Sequence, residues 1–365
     1  MRAAPPASPA PGRALPGRLL SRSLSRLLTR SLAVPAALAM LAACSGSAVG
    51  PAGPTASAAG TASASAAASA KASPPIVAVT AAGALEVLNS ATGTAETQLV
   101  ASGVIGDEVS VSASDTVYFA VRSGCTGEIE SVPLAGGTPV PVAAGQLPAL
   151  SPDGAKLAYA SEPTLGDENC VPSGGDPVPL FKLVVRTLAT GAQVTYPMVP
   201  AGSDSGLPAP ISHLSWAPDG QHLAVSVSAV QDNEGWNLAL VDTAVAKNYL
   251  QGAGVAFVLP TGQPTAQQSY LREGVYLPDG NLFVSRACCG GEPERSTSRL
   301  MWEVNPAGVL VHQVAIGFAT LDHDSLDASR DGGWLLYLGG GGLYVSRGGA
   351  APSKLTSGLI AAAFV

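Results

Sequence analysis

Charge is scarce in this chain of 365 residues, of which only 12% are Asp, Glu, Lys or Arg. Strong helix formers other than alanine are correspondingly few, which weighs against a helical fold. Long apolar runs are missing as well. The uncharged stretch "SLAVPAALAMLAA" (31–43) has 13 residues, too few to cross a bilayer as a helix. No G-x-S-x-G, H-E-x-x-H, P-loop or complete EF-hand pattern occurs, so nothing points to the chemistry those signatures carry. What the chain has in abundance is turn chemistry: 42 glycines and 30 prolines in a sequence that is 47% apolar. Enough chain to bury a large core, broken at short intervals by turn formers, indicates an all-β fold.

The first 43 residues stand apart. Six arginines (Arg2, Arg13, Arg18, Arg22, Arg26 and Arg30) and no acid precede the 31–43 run. A basic head before a short apolar core reads as a secretory signal peptide. It ends in "LAAC" (41–44), which resembles the bacterial lipobox. That resemblance implies diacylation of Cys44 and a cell-membrane, lipid-anchored location on the extracytoplasmic side. The alternative is an ordinary signal peptide with an incidental cysteine. Residues 45–75 consist almost wholly of Ala, Ser, Gly, Thr and Pro with a single charge. They cannot bury a core and read, with Cys44, as a disordered tether over 44–75 with a reach of roughly 30 Å. Beyond Cys44, 13 bases face 26 acids, a net charge of −13. That balance argues against nucleic acid and against anionic headgroups as partners.

Residues 76–365 repeat. "SPDG" (151–154), "APDG" (217–220) and "LPDG" (277–280) each precede an apolar strand, and "SRDGG" (329–333) and "SASDT" (112–116) are degenerate copies. Proline presets φ, Asp bonds back to the backbone and Gly tolerates positive φ, so Asp153, Asp219 and Asp279 are expected to be turn residues. Second strands count six: "IVAVT", "TVYFAVR", "KLAYAS", "HLAVSVS", "NLFVS" and "WLLYLG". Third strands with their turns also count six, from "LEVLNSATG" (85–93) to "GLYVSRGG" (342–349). About 48 residues per four-stranded unit matches a propeller blade. The first unit lacks a leading strand, and "GLIAAAFV" (358–365) is left over to supply it. The expectation is a six-bladed β-propeller over 76–365, closed by the C-terminal strand, with seven blades as the alternative.

In carrying S-P-D-G between its first and second strands, the repeat resembles the TolB-like propellers. The resemblance covers roughly 76–365 and implies the fold. It says little of function, because propellers host enzymes, receptors and scaffolds alike. TolB-like proteins carry an α/β domain ahead of the propeller, where this chain has only the tether.

Strand alternation assigns the PDG and ATG turns to a plain face and the longer connections to the other. Those connections are 122–128, 161–180, 200–210, 228–236, 260–270 and 285–299, and long loops on a rigid scaffold are where binding usually sits. They also hold the four remaining cysteines. Outside the cytoplasm, disulfides are the default. Cys125 and Cys170 fall in equivalent loops of adjacent blades and are the expected pair. Cys288 and Cys289 are adjacent, with Cα atoms about 3.8 Å apart, so a vicinal bridge would be strained; free thiols and pairing to another chain stand beside it.

The densest polar cluster is "LDHDSLD" (321–327), with Asp322, His323, Asp324 and Asp327, expected at the channel mouth where a sixth inner strand begins. His213, Asp107, Glu108, Arg272 and Glu273 take comparable positions in other blades. Such a ring offers hard oxygen ligands for Ca²⁺ (Asp322, Asp324, Asp107, Glu108) or an acid–base pair in His323 and Asp324, as in six-bladed lactonase-type enzymes. A polar, hydrated mouth without chemistry is the simpler alternative. Trp216, Trp236, Trp302 and Trp334 recur once per blade as packing, with Trp236 alone beside a loop where it could stack a ligand. The resulting expectation is a membrane-anchored binding module. Its partner would be an envelope protein, a glycan or a small ligand, with membrane contact only through Cys44. A channel-mouth hydrolase or lactonase and a structural envelope scaffold are the alternatives.

Overall fold

A computed structural model describes residues 72–365 except 125, 162–181, 198–210, 229–235, 246–253, 257–268, 289–299, 308, 316–324, 340 and 349. The chain opens with β1 (Ile76–Thr80), β2 (Leu85–Leu88) and β3 (Ala95–Val100). A second set is β4 (Val104–Val111), β5 (Thr116–Ser123), β6 (Thr126–Pro133) and β7 (Val140–Ala144). The third is β8 (Gln146–Leu150), β9 (Lys156–Ser161), β10 (Lys182–Thr187) and β11 (Gln193–Pro197). The fourth is β12 (Ile211–Trp216), β13 (His222–Ser228), β14 (Trp236–Asp242) and β15 (Gly254–Ala256). The fifth is β16 (Ser269–Tyr276), β17 (Leu282–Cys288), β18 (Leu300–Val304) and β19 (Leu310–Ala315). The sixth is β20 (Ser325–Ala328), β21 (Trp334–Gly339), β22 (Gly342–Arg347) and β23 (Ser353–Thr356), and β24 (Leu359–Phe364) follows.

Sets two to six are four-stranded antiparallel sheets in chain order, and β24 pairs with β1 to give the order β24-β1-β2-β3. The result is a six-bladed β-propeller, with six blades and not seven. The C-terminal strand is the innermost strand of blade one, and Val365 N–H donates to Pro75 O at 3.0 Å across the join.

The PDG turns explain how each blade reverses. Gly154 N–H donates to Ser151 O at 2.8 Å, Gly220 to Ala217 at 3.0 Å and Gly280 to Leu277 at 2.9 Å. The three glycines have φ of +70°, +63° and +88°. Asp153 Oδ1 accepts the Ala155 N–H at 3.0 Å, and Asp219 and Asp279 accept the N–H groups of Gln221 and Asn281 in the same way. All three aspartates are turn residues. In blade two the glycine's place is taken by Asp115, at φ +55°.

Burial follows from stacking blade on blade. Second strands such as β9 and β21 are covered on both faces and therefore read as nearly continuous apolar runs. Six apolar clusters form, one in each gap between neighbouring blades. In the closing gap, Leu336, Leu338 and Leu343 of blade six pack with Ile76, Ala362 and Phe364 of blade one.

One expected long loop is absent. Residues 122–128 form a tight hairpin in which Arg122 pairs with Gly127 and Ser123 with Thr126, leaving a two-residue connection at 124–125. Gly124 has φ +62°, which is what so short a reversal between twisted strands demands. Likewise β17 runs on to Cys288, which is a strand residue and not part of a loop.

Candidate functional site

Several residues singled out in the sequence, Cys44, Cys125, Cys170, Cys289, Asp322, His323 and Asp324, lie outside the described residues. So do the side chains of Asp107, Arg272, Cys288 and Trp236, although their backbones belong to β4, β16, β17 and β14. Described in full are Glu108, His213, Glu273 and Asp327. Of these, Glu108, His213 and Asp327 line a cavity of about 390 Å³ in the central channel, while Glu273 is buried elsewhere.

The channel is walled by the inner strands β4, β8, β12, β16, β20 and β24, and their geometry is irregular in a consistent way. Registers slip by extra residues between Ile105 and Ser110, Gln146 and Ala149, Ile211 and His213, and Leu271 and Gly274. β24 does the same at its start, opposite Val79 and Thr80. Each slip is a β-bulge, which re-aims side chains that strict alternation would send into a blade gap. Glu108 lies within the largest of them. From there it crosses the inner strand of blade three to reach blade four, where Oε2 accepts the Leu214 N–H at 3.3 Å and Oε1 lies 3.5 Å from His213 Nδ1.

A second layer, nearer the PDG turns, ties the blades in pairs. Ser110 Oγ accepts the Leu150 N–H at 3.0 Å, Ser215 Oγ accepts that of Tyr276 at 3.0 Å, and Asp327 Oδ2 accepts that of Phe364 at 2.7 Å. The three acceptors stand two residues before their turns in blades two, four and six. The three donors sit one residue nearer the turn end, at equivalent positions of blades three, five and one. Trp216 adds a bond from Nε1 to Ala149 O at 2.9 Å. It is packed as the sequence led one to expect, yet it also lines the cavity. Trp302 is fully buried and Trp334 lies under the Arg347 guanidinium.

The electrostatics follow from burial. His213 is 5% exposed, and loss of water lowers its pKa to about 4, so it is neutral at pH 7. Its Nε2 has no hydrogen-bond partner. Asp327 touches the cavity but is enclosed by protein, which raises its pKa to about 6. The N–H groups of Phe364 and Ala328, and then the Arg330 guanidinium, oppose that rise. Tyr276 is pushed up to about 12, by burial first and then by the Asp219 carboxylate. Arg330 itself is exposed and reaches over the end of blade one to donate from Nη2 to Val111 O at 2.9 Å.

Of the four residues expected to hold calcium, only the Glu108 side chain is described. Glu108 is taken up by Leu214 and His213, Asp327 by backbone N–H groups, and among the described residues no three of His, Cys, Asp and Glu gather in metal-holding geometry. The cavity also lies toward the PDG turns, since Pro152, Pro218 and Pro278 line its mouth. Sequence reasoning had taken that face as plain. The missed signal was present: residue −2 before the turn is Ser, Ser and Asp in alternate blades.

Neither a family model nor a curated protein sequence matches the chain. Solved structures do. TolB from Acinetobacter baumannii superposes with a TM-score of 0.51 at 13% identity, over 80% of this chain and 65% of TolB. The chain shares its fold with TolB. A nidogen/laminin complex matches with a TM-score of 0.50 at 12% identity, covering 79% of this chain and 97% of the other. A putative TolB from Agrobacterium tumefaciens covers 80% of this chain at 13% identity and a TM-score of 0.46. The chain thus spans about two thirds of the Acinetobacter TolB, and at these identities the likeness to TolB is one of fold.

Proposed function

We propose that the chain is a lipid-anchored, extracytoplasmic interaction module. Cys44 holds it to the membrane, residues 45–75 raise it off the surface, and the propeller engages an envelope protein, a glycan or a small ligand through its long-connection end. One observation carries this reading. The strand ends that bracket 162–181, 198–210, 229–235, 257–268, 289–299 and 316–324 all meet at the end of the ring opposite the PDG turns. Of the described chain's longer gaps only the link from β14 to β15 falls at the other end. A rigid ring that gathers its longest connections at one end is built to present them. The TolB-like fold and the acidic balance beyond Cys44 fit a soluble head of this kind, and among the described residues no helix is long and apolar enough to cross a membrane.

Two experiments test the two halves of the proposal. Cys44→Ala should move the protein from the membrane fraction to the medium, and continued retention would refute the anchor. Photo-crosslinkers placed in 162–181 and 289–299 should yield adducts on cells that crosslinkers at Asp153 or Asp219 do not. Equal labelling from both ends would refute the facial assignment.

A further inference from the structure

The channel cavity has a chemistry that the interaction reading leaves unused. About half of its wall is apolar, and Val109, Leu214, Val275, Leu326, Ala362 and Phe364 are among its lining residues. Its inner polar groups are weighted toward acceptors. Glu108 brings a carboxylate beside His213. Asp327 brings a carboxyl to a position where the equivalent blades hold Ser110 and Ser215, and a hydroxyl there already satisfies the strand-to-strand bond. The extra oxygen and the charge of Asp327 are therefore not needed for closure.

His213 is the second, independent sign. It is 5% exposed, it lines the cavity, and Nε2 has no hydrogen-bond partner. With its proton on Nδ1, toward Glu108 Oε1, Nε2 presents a lone pair. A buried acceptor left without a donor costs about 1–3 kcal/mol, so one in a native channel points to a donor that comes from outside. Among the described residues the one cationic side chain at the cavity is Arg330, which sits at the exposed rim and is bonded to Val111 O. Entry is open between the exposed turn prolines Pro152, Pro218 and Pro278.

A space whose wall is half apolar and whose inner polar groups are acceptors is complementary to a positively charged donor carried on a small apolar body. At about 390 Å³ it also falls within the size range of small-molecule sites, about 300–1,000 Å³. We infer that this cavity binds a small organic ammonium compound, its N–H groups offered to Asp327 and His213 Nε2 and its apolar part laid against the inner strands. The net charge of −13 beyond Cys44 would raise the local concentration of such cations. The site lies at the opposite end of the ring from the long connections and does not rest on the interaction reading, so either can fail alone.

The test is calorimetric titration of the full mature chain in detergent at pH 7.5. The probes are butylammonium, cyclohexylammonium and phenethylammonium chlorides, with 2-phenylethanol as the uncharged match. At least one amine should bind saturably at one-to-one stoichiometry, and phenylethanol should bind about tenfold more weakly or not at all. Asp327→Ser keeps an acceptor for the Phe364 N–H, as Ser110 and Ser215 do for theirs, and so should unfold as cooperatively as wild type. It should nevertheless lose about tenfold or more in amine affinity, as should His213→Phe. No saturable heat with any of the three amines would overturn the inference. So would phenylethanol binding as well as the amines, or unchanged affinity in Asp327→Ser.

Discussion

Asp327 Oδ2 accepts the Phe364 N–H at 2.7 Å, and this bond fastens the strand that closes the ring to the blade that precedes it. The same carboxyl has its pKa raised to about 6 by burial, while His213 in the same channel is lowered to about 4. The two have opposite effects on stability. Asp327, raised above its unfolded value of 3.8, favours the folded state below that value, and the benefit is lost as pH rises through 6. His213, lowered from 6.5, favours the folded state above that value, and the benefit is lost as pH falls through 4.

Between pH 4 and 6.5 the two contributions should largely cancel in wild type. In Asp327→Asn, stability relative to wild type should drop as pH falls from about 6 to about 4. In His213→Gln it should rise over the same acidification from about 6.5. Each swing is on the order of 3 kcal/mol, readable from urea unfolding at a series of pH values. Parallel profiles for all three proteins would refute the assignment.

Removing residues 359–365 should open the ring. The deletion takes away β24, whose Ala361, Ala362, Ala363 and Phe364 are buried, and exposes the closing cluster around Ile76 and Leu336. Differential scanning calorimetry should show the cooperative transition lost or its midpoint lowered by more than about 10 °C, beyond what a single core truncation produces.

Phe283 and Tyr337 meet edge to face between blades five and six, with ring centres 5.9 Å apart. Phe283→Ala should cost about 3–5 kcal/mol in urea unfolding, mostly through the cavity left behind. A double-mutant cycle with Tyr337→Leu should recover about 0.5–1.5 kcal/mol of coupling. Strict additivity would show that the ring contact adds nothing beyond buried area.

Asp115 adopts φ +55° where the matching turns have glycine. Asp115→Gly should be neutral or stabilising by up to about 1 kcal/mol, because strain relief competes with a more flexible unfolded chain. Gly154→Ala, whose added Cβ would meet nothing within 4 Å, should cost about 1–2 kcal/mol from its φ of +70° alone. Thermal melts of the two variants separate backbone strain from crowding.

The turns and the blade count were legible because their causes are local. A Pro-Asp-Gly triplet specifies its own reversal whatever surrounds it, and an apolar run covered on both faces announces itself by lacking alternation. The leftover "GLIAAAFV" beside an incomplete first unit indicated closure for the same reason. The hairpin at 124–125 was misread as a loop because glycine in a tight turn and glycine in a long connection look alike in sequence. Glu108 and His213 were singled out, but only as members of a ring. That Glu108 spans a whole blade to reach His213 depends on three extra residues in β4, and a bulge leaves no mark in composition or period.

What the sequence determined by itself was the architecture: six short-turned, four-stranded units and a ring closed by the C-terminal strand. These follow from nearest-neighbour chemistry, repeated often enough to be counted. What only the tertiary structure decided was which residues share the channel, and that its described cavity lies toward the short turns. Asp327 meets Phe364, and Glu108 meets Leu214, across 37 and 106 residues of chain. Such pairs exist only once the last strand returns to the first, because ring closure, not sequence proximity, sets the distances across a channel.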